Sequence, residues 1–112
     1  MRAIYKELFG NEVAELCLLY IVNYGEGYIR GISKTFDFYP RQVQLQLEKL
    51  ENGGILVTKF SGQTKLFLLN PRLPIKNELI ALAERILSIL PEEDTEKYFR
   101  QRRRPRRTGK AL

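Results

Sequence analysis

The side chains in this sequence that are best suited to chemistry are cations, and they are concentrated near the carboxyl end. Residues 100–110 contain seven Lys and Arg residues and no acid. Such a run favours an anionic partner, through phosphate contacts made by arginine. A solvated arm and, in a eukaryote, a nuclear localisation signal are the alternatives. The tail residues predicted to bind phosphate are Arg102, Arg103, Arg104, Arg106 and Arg107.

Other kinds of chemistry lack the residues that they need. The 112-residue chain contains no histidine, the usual general base and the commonest metal ligand. The single cysteine, Cys17, permits neither an internal disulfide nor a multi-cysteine zinc site. Its apolar surroundings indicate a small core residue rather than a redox sensor. We therefore expect no enzyme, no metal and no cofactor.

The charge is distributed unevenly along the chain. The formal net charge is +6, yet residues 1–99 carry 12 cations and 13 acids. Residues 28–72 hold seven cations and three acids, whereas the segments on either side of them are acidic. The body of the protein therefore has a basic segment of its own, separate from the tail.

Apolar spacing predicts a mainly α-helical domain over residues 1–90 with one small β-hairpin. The predicted elements are a buried helix over 11–22 capped by Asn11, helices over 29–36 and 40–51 around a tight turn at Asp37, strands over 55–60 and 64–69, and a long helix over 75–90. Residues 91–112 are expected to form a partly disordered tail that passes from acidic to basic, in which residues 92–104 could form a last helix that Pro105 ends. The sequence contains neither a membrane-length apolar run nor a secretory signal, so we expect a cytoplasmic protein without membrane contact.

The long helix carries two adjacent apolar sides. One side has spacings of four, three, four and three residues, and a second side runs from Ile80 to Leu90. A helix of this kind packs on its own domain and on something else, so we predict a homodimer; core packing alone is the alternative. The residues predicted at the dimer interface are Ile75, Leu79, Leu82, Ile86 and Ile89.

The stretch Tyr28–Val57, YIRGISKTFDFYPRQVQLQLEKLENGGILV, resembles a known DNA-binding unit. The matching positions are Ile32, Phe36 and Phe38 in a first helix and turn, Val43, Leu47 and Leu50 in a second helix, and Gly54 and Ile55 at the step into a hairpin. This pattern is similar to the winged helix-turn-helix of ArsR-like and MarR-like transcriptional regulators, over roughly residues 8–90. Two positions depart from the family: Asp37 replaces the usual turn glycine, and Tyr39 replaces the usual Ser or Thr cap.

The resemblance implies a three-helix core with a wing, a C-terminal dimerisation helix and a sequence-specific DNA-binding regulator. Such a protein would act as a repressor, as a homodimer on a pseudo-palindromic site; its effector, if any, is not indicated. The metal-sensing branch of the family uses Cys and His, so that chemistry is not implied here. The residues expected at DNA are Arg41, Gln42, Gln44 and Leu45 at base edges, and Lys34, Tyr39, Lys49, Lys59, Gln63 and Lys65 at the backbone and wing.

Simpler interpretations of the same residues stay open. The polar residues of the second helix could form a solvated face, and the hairpin lysines could protect strand edges. The alternative function is a winged-helix module for protein–protein interaction with a nonspecific nucleic-acid-binding arginine tail.

Overall fold

The computed structural model describes residues 1–100, which contain six helices and one two-stranded sheet. The elements are α1 (Lys6–Phe9), α2 (Glu12–Tyr24), α3 (Ile29–Phe36), α4 (Pro40–Asn52), β1 (Leu56–Ser61), β2 (Thr64–Leu69), α5 (Lys76–Ser88) and α6 (Glu92–Tyr98). The expected class, mainly α-helical with a small hairpin, is confirmed. No helix within residues 1–100 is long and apolar enough to cross a membrane.

Helix α2 forms the centre of the core. Its N-terminus is capped as predicted, because the Asn11 side chain accepts a hydrogen bond of 2.8 Å from the Ala14 amide. Leu16, Cys17 and Leu19 are fully buried. The helix packs against α1, α4, α5 and β2, which explains why its sequence is apolar nearly all round.

A buried carboxylate attaches the N-terminal segment to α2. Glu15 is fully buried and accepts a hydrogen bond of 3.0 Å from the Tyr5 amide. One turn earlier, Glu12 accepts a hydrogen bond of 3.1 Å from the Ala3 amide. Burial raises the pKa of the Glu15 carboxyl, and the backbone donors offset this only in part.

The turn between α3 and α4 is formed by Asp37 in the left-handed region, with φ 61° and ψ 44°. The next amide, of Phe38, donates to the Ser33 carbonyl at 2.9 Å and closes the end of α3. Pro40 then occupies the first turn of α4, where its missing amide hydrogen is not needed. Asp37 therefore adopts the left-handed conformation that glycine most often occupies.

The hairpin pairs in a single register, from Leu56 opposite Leu69 to Ser61 opposite Thr64. Its turn contains Gly62, whose φ of 63° favours glycine. Gly27 and Phe67 exchange two backbone hydrogen bonds, of 2.9 and 2.8 Å. These bonds attach the loop before α3 to β2 and hold the hairpin against the helices.

The domain boundary predicted at residue 90 is wrong, because α6 packs into the core. Tyr98 and Phe99 are buried, and the Phe36 ring stacks on Tyr98 with 5.4 Å between centroids. The Asn23 side chain donates to the Phe99 carbonyl at 2.8 Å, and the Tyr24 hydroxyl donates to the Tyr98 carbonyl at 2.8 Å. The domain therefore extends to Phe99, and the acids of α6 belong to it rather than to a tail.

The predicted dimer interface also needs a correction. Ile86 is 2% exposed and belongs to the core with Ala83 and Leu90. The period of 3.6 residues turns Ile86 toward the side of α5 that packs on α2. Leu79 is half-buried, whereas Ile75, Leu82 and Ile89 are exposed.

Candidate nucleic-acid interface

The polar side chains predicted on α4 share its outer surface. Val43 and Leu47 are fully buried beneath the helix, and this fixes which side of α4 faces outward. The predicted site residues Arg41, Gln42, Leu45 and Lys49 are exposed, and Gln44 is half-buried. The structure therefore brings the five predicted residues of α4 to the accessible part of one helix.

The two glutamines of α4 that are predicted at DNA already have hydrogen-bond partners at the N-cap of α4 or within the helix. Gln42 accepts a hydrogen bond of 3.3 Å from the Tyr39 amide, and Gln44 donates one of 2.9 Å to Glu48. Arg41 takes part in none of the ion pairs within residues 1–100. Arg41, like Lys49, can thus bind a ligand without first exchanging an ion-pair partner.

Tyr39 begins α4 without a side-chain cap. Its backbone carbonyl accepts from the Gln42 amide at 3.0 Å, while its phenol ring is 78% exposed. The Gln42 side chain supplies part of the missing cap, because it accepts the Tyr39 amide hydrogen. An aromatic ring this exposed adds little to folding, so the structure leaves it available at the helix N-terminus.

The hairpin lysines are engaged in ion pairs with the body. Lys59 lies 3.5 Å from Glu26, and Lys65 lies 3.9 Å from Glu51 and over the ring of Phe67. Exposed pairs of this kind contribute about 0–1 kcal/mol, so phosphate oxygens can compete for both ammonium groups. Gln63 is exposed in the turn.

Lys34 lies on the last turn of α3 and is exposed. Like Arg41 and Lys49, it takes part in none of the ion pairs within residues 1–100. With Arg30 of α3, four cations on the α3–α4 unit therefore take part in no ion pair among the described residues, in the basic segment 28–72 that the charge distribution indicated.

One exposed residue near the hairpin turn was not predicted. Phe60 is 67% exposed and lies opposite Lys65, beyond the part of the hairpin that packs on the core. In the alternation of β1 it shares a face with buried Leu56, so the sequence pattern favours a core position. Exposure rises along β1 from buried Leu56 toward the turn, and the Phe60 ring lies in the exposed part.

Comparison with protein-family models, curated proteins and solved structures found no match to this chain. The assignment of this surface therefore depends on its residues and geometry.

The remaining chemical groups are placed as follows. Burial raises the pKa of the Cys17 thiol to about 12, so the thiol stays protonated and unreactive at neutral pH. Within residues 1–100, no group of three His, Cys, Asp or Glu side chains could hold a metal ion. The predicted phosphate contacts Arg102, Arg103, Arg104, Arg106 and Arg107 lie outside the described residues.

Proposed function

We propose that this protein is a sequence-specific DNA-binding transcriptional regulator with a winged helix-turn-helix fold, acting without catalysis. In this proposal α3 and α4 are the helix-turn-helix, α4 is the recognition helix, and the β1–β2 hairpin is the wing. The observation that carries it is the outer surface of α4, where exposed Arg41, Leu45 and Lys49 lie above a buried apolar side.

The chemistry of α4 suits the major groove. Arginine donates two parallel hydrogen bonds to guanine, and a leucine methyl contacts the methyl group of thymine. Arg41 and Leu45 are four residues apart and so lie on the same side of the helix. Lys34, Lys49 and the hairpin lysines would bind phosphates, which set affinity and register but not sequence.

The size of the body favours two copies on one site. The described domain measures 32 × 29 × 28 Å and has one α4. Half-sites on one face of DNA are about 34 Å apart, so a pseudo-palindromic operator would take a homodimer joined through α5. Repression by covering a promoter is the simplest consequence.

The deciding experiment is selection of bound DNA from a random pool with the full chain. We expect an enriched consensus with two-fold symmetry. The matched control is Arg41→Ala, which should shift the consensus. If the DNA bound by the wild-type protein shows no enriched sequence, the protein is not a sequence-specific regulator.

A second function is favoured by the exposed apolar side chains of α5. Ile75, Leu82 and Ile89 are exposed, and they would equally suit a different protein bound by a winged-helix interaction module. Light scattering separates the two functions, since the regulator is expected to form homodimers and the module to stay monomeric until its partner is added.

A further inference from the structure

Three exposed apolar residues recur at intervals of seven along α5, at its N-cap, its centre and its C-cap. Ile75, Leu82 and Ile89 are 55%, 39% and 45% exposed. Positions seven apart return to nearly the same side of an α-helix. We call these three residues the α5 stripe. The 13 residues of α5 span about 20 Å, so the stripe runs the whole length of the helix. Its burial against a matching surface is favourable.

Two opposite charges flank the α5 stripe. Glu78 and Arg85 are exposed, and neither takes part in an ion pair within residues 1–100. Each follows one stripe residue by three positions and precedes the next by four. Helical geometry therefore puts both charges on the same edge of the stripe, away from Ala83 and Leu90 in the core.

The order of these residues is self-complementary when two copies of α5 run antiparallel. With Leu82 on a two-fold axis, Ile75 of one copy lies opposite Ile89 of the other. The flanking charges then meet on one edge, with Glu78 beside Arg85 of the second copy, twice. In a parallel pair each stripe residue would meet its own counterpart, and the charged edges would lie on opposite sides of the pair.

We propose that α5 binds α5 of a second copy in an antiparallel pair centred on Leu82, with Glu78–Arg85 ion pairs on both sides of the axis. The proposal rests on the homodimer of the proposed function and adds its orientation and register. The binding partner is a second copy rather than a different protein, because one two-fold axis matches apolar residues with apolar residues and Glu78 with Arg85.

Cysteine cross-linking in the full chain distinguishes the two orientations. Cys17 is buried, so it does not compete with an introduced surface thiol. We expect oxidation to join two copies of Leu82→Cys, and to join Ile75→Cys to Ile89→Cys in an equal mixture. Ile75→Cys alone and Ile89→Cys alone should stay uncoupled. Efficient coupling of each single variant with itself would indicate a parallel pair and overturn the proposal, as would the absence of coupling at Leu82→Cys.

Charge reversal tests the register independently. Glu78→Arg should raise the dimer dissociation constant about tenfold, because it places like charges side by side. Adding Arg85→Glu to the same chain should restore dimerisation by restoring opposite charges across the axis. A double variant as weak as the single one would rule out this pairing. Circular dichroism checks that each variant is folded.

The test is separable from that of the proposed function. If the wild-type protein selects a DNA consensus but Leu82→Cys does not cross-link, the α5 arrangement alone is overturned. Cross-linking in the predicted pattern without any DNA consensus would overturn the regulator and retain the dimer.

Discussion

At the scale of the residue, Asp37 is the one non-glycine residue within 1–100 that has a left-handed backbone. That conformation costs an ordinary L-residue about 1–2 kcal/mol, and Asp somewhat less. We expect Asp37→Gly to be at least as stable as the wild type, and Asp37→Ala to be less stable. The two variants should differ by about 1–2 kcal/mol in the free energy of unfolding in urea. Equal stabilities would mean that the turn relaxes out of the left-handed region.

Arg41 is the residue on which sequence preference should depend most. Arg41→Ala should lower the discrimination between the preferred site and a site changed at one base pair by about 1–3 kcal/mol. The matched control is Lys49→Ala, which should weaken binding to all sequences alike and reduce the salt slope by about one. Binding isotherms at several salt concentrations measure both quantities. If Arg41→Ala loses the same binding affinity for all sequences, Arg41 contacts a phosphate rather than a base.

Glu15 gives the fold a pH dependence with a definite sign. Its folded-state pKa is raised above the ordinary value of 4.5, first by burial. The folded state therefore holds this proton more tightly than the unfolded state. The resulting stabilisation is complete below pH 4.5 and is lost as the pH rises through the folded-state pKa. Glu15→Gln should remove this decline, and parallel stability curves for the two proteins in urea would contradict the assignment.

At the scale of the element, local sequence predicted most of the fold. The bounds of α3 were predicted correctly, and those of α2, α4 and α5 to within about two residues, because apolar spacing, the Asn11 cap and Pro40 act locally. A last helix was anticipated within the tail, but nothing in its local sequence indicated that α6 packs into the core. Its attachment depends on two aromatic residues that contact α3, far away in the sequence.

The packing of α6 has a measurable consequence. A chain ending at Arg100 should unfold at the wild-type temperature, whereas a chain ending at Leu90 should lose its cooperative transition. Phe99→Ala should cost about 3–5 kcal/mol, as for other buried aromatic residues. The matched control, Glu93→Ala, changes an exposed residue of the same helix and should cost less than about 0.5 kcal/mol. Calorimetry of the four proteins checks these expectations, and a cooperative transition in the Leu90 chain would show that α6 is dispensable.

At the scale of the whole molecule, the excess positive charge lies in two separate regions. We expect one of them to determine sequence preference and the other to add affinity for DNA of any sequence. Residues 28–72 include α4 and the hairpin, whereas residues 101–112 contain six cations and no acid. Deleting residues 101–112 should weaken DNA binding and lower the salt slope by up to about five, since each phosphate contact contributes about 0.9. Preference between sites should survive. Loss of preference in the truncated protein would assign specificity to the tail.

The sequence by itself determined helices α2 to α5, the hairpin, the turn at Asp37 and the separation of charge, because each depends on residues close together in the chain. Within α5, the tertiary structure alone decided which apolar residues are buried. Ile86 and Leu82 are equally apolar and four residues apart, yet Ile86 packs on α2 and Leu82 is exposed. It also decided that Phe60 extends past the core and that Tyr98 and Phe99 return to it. Burial depends on what packs against a surface, and contacts between distant segments are set only when the chain has folded.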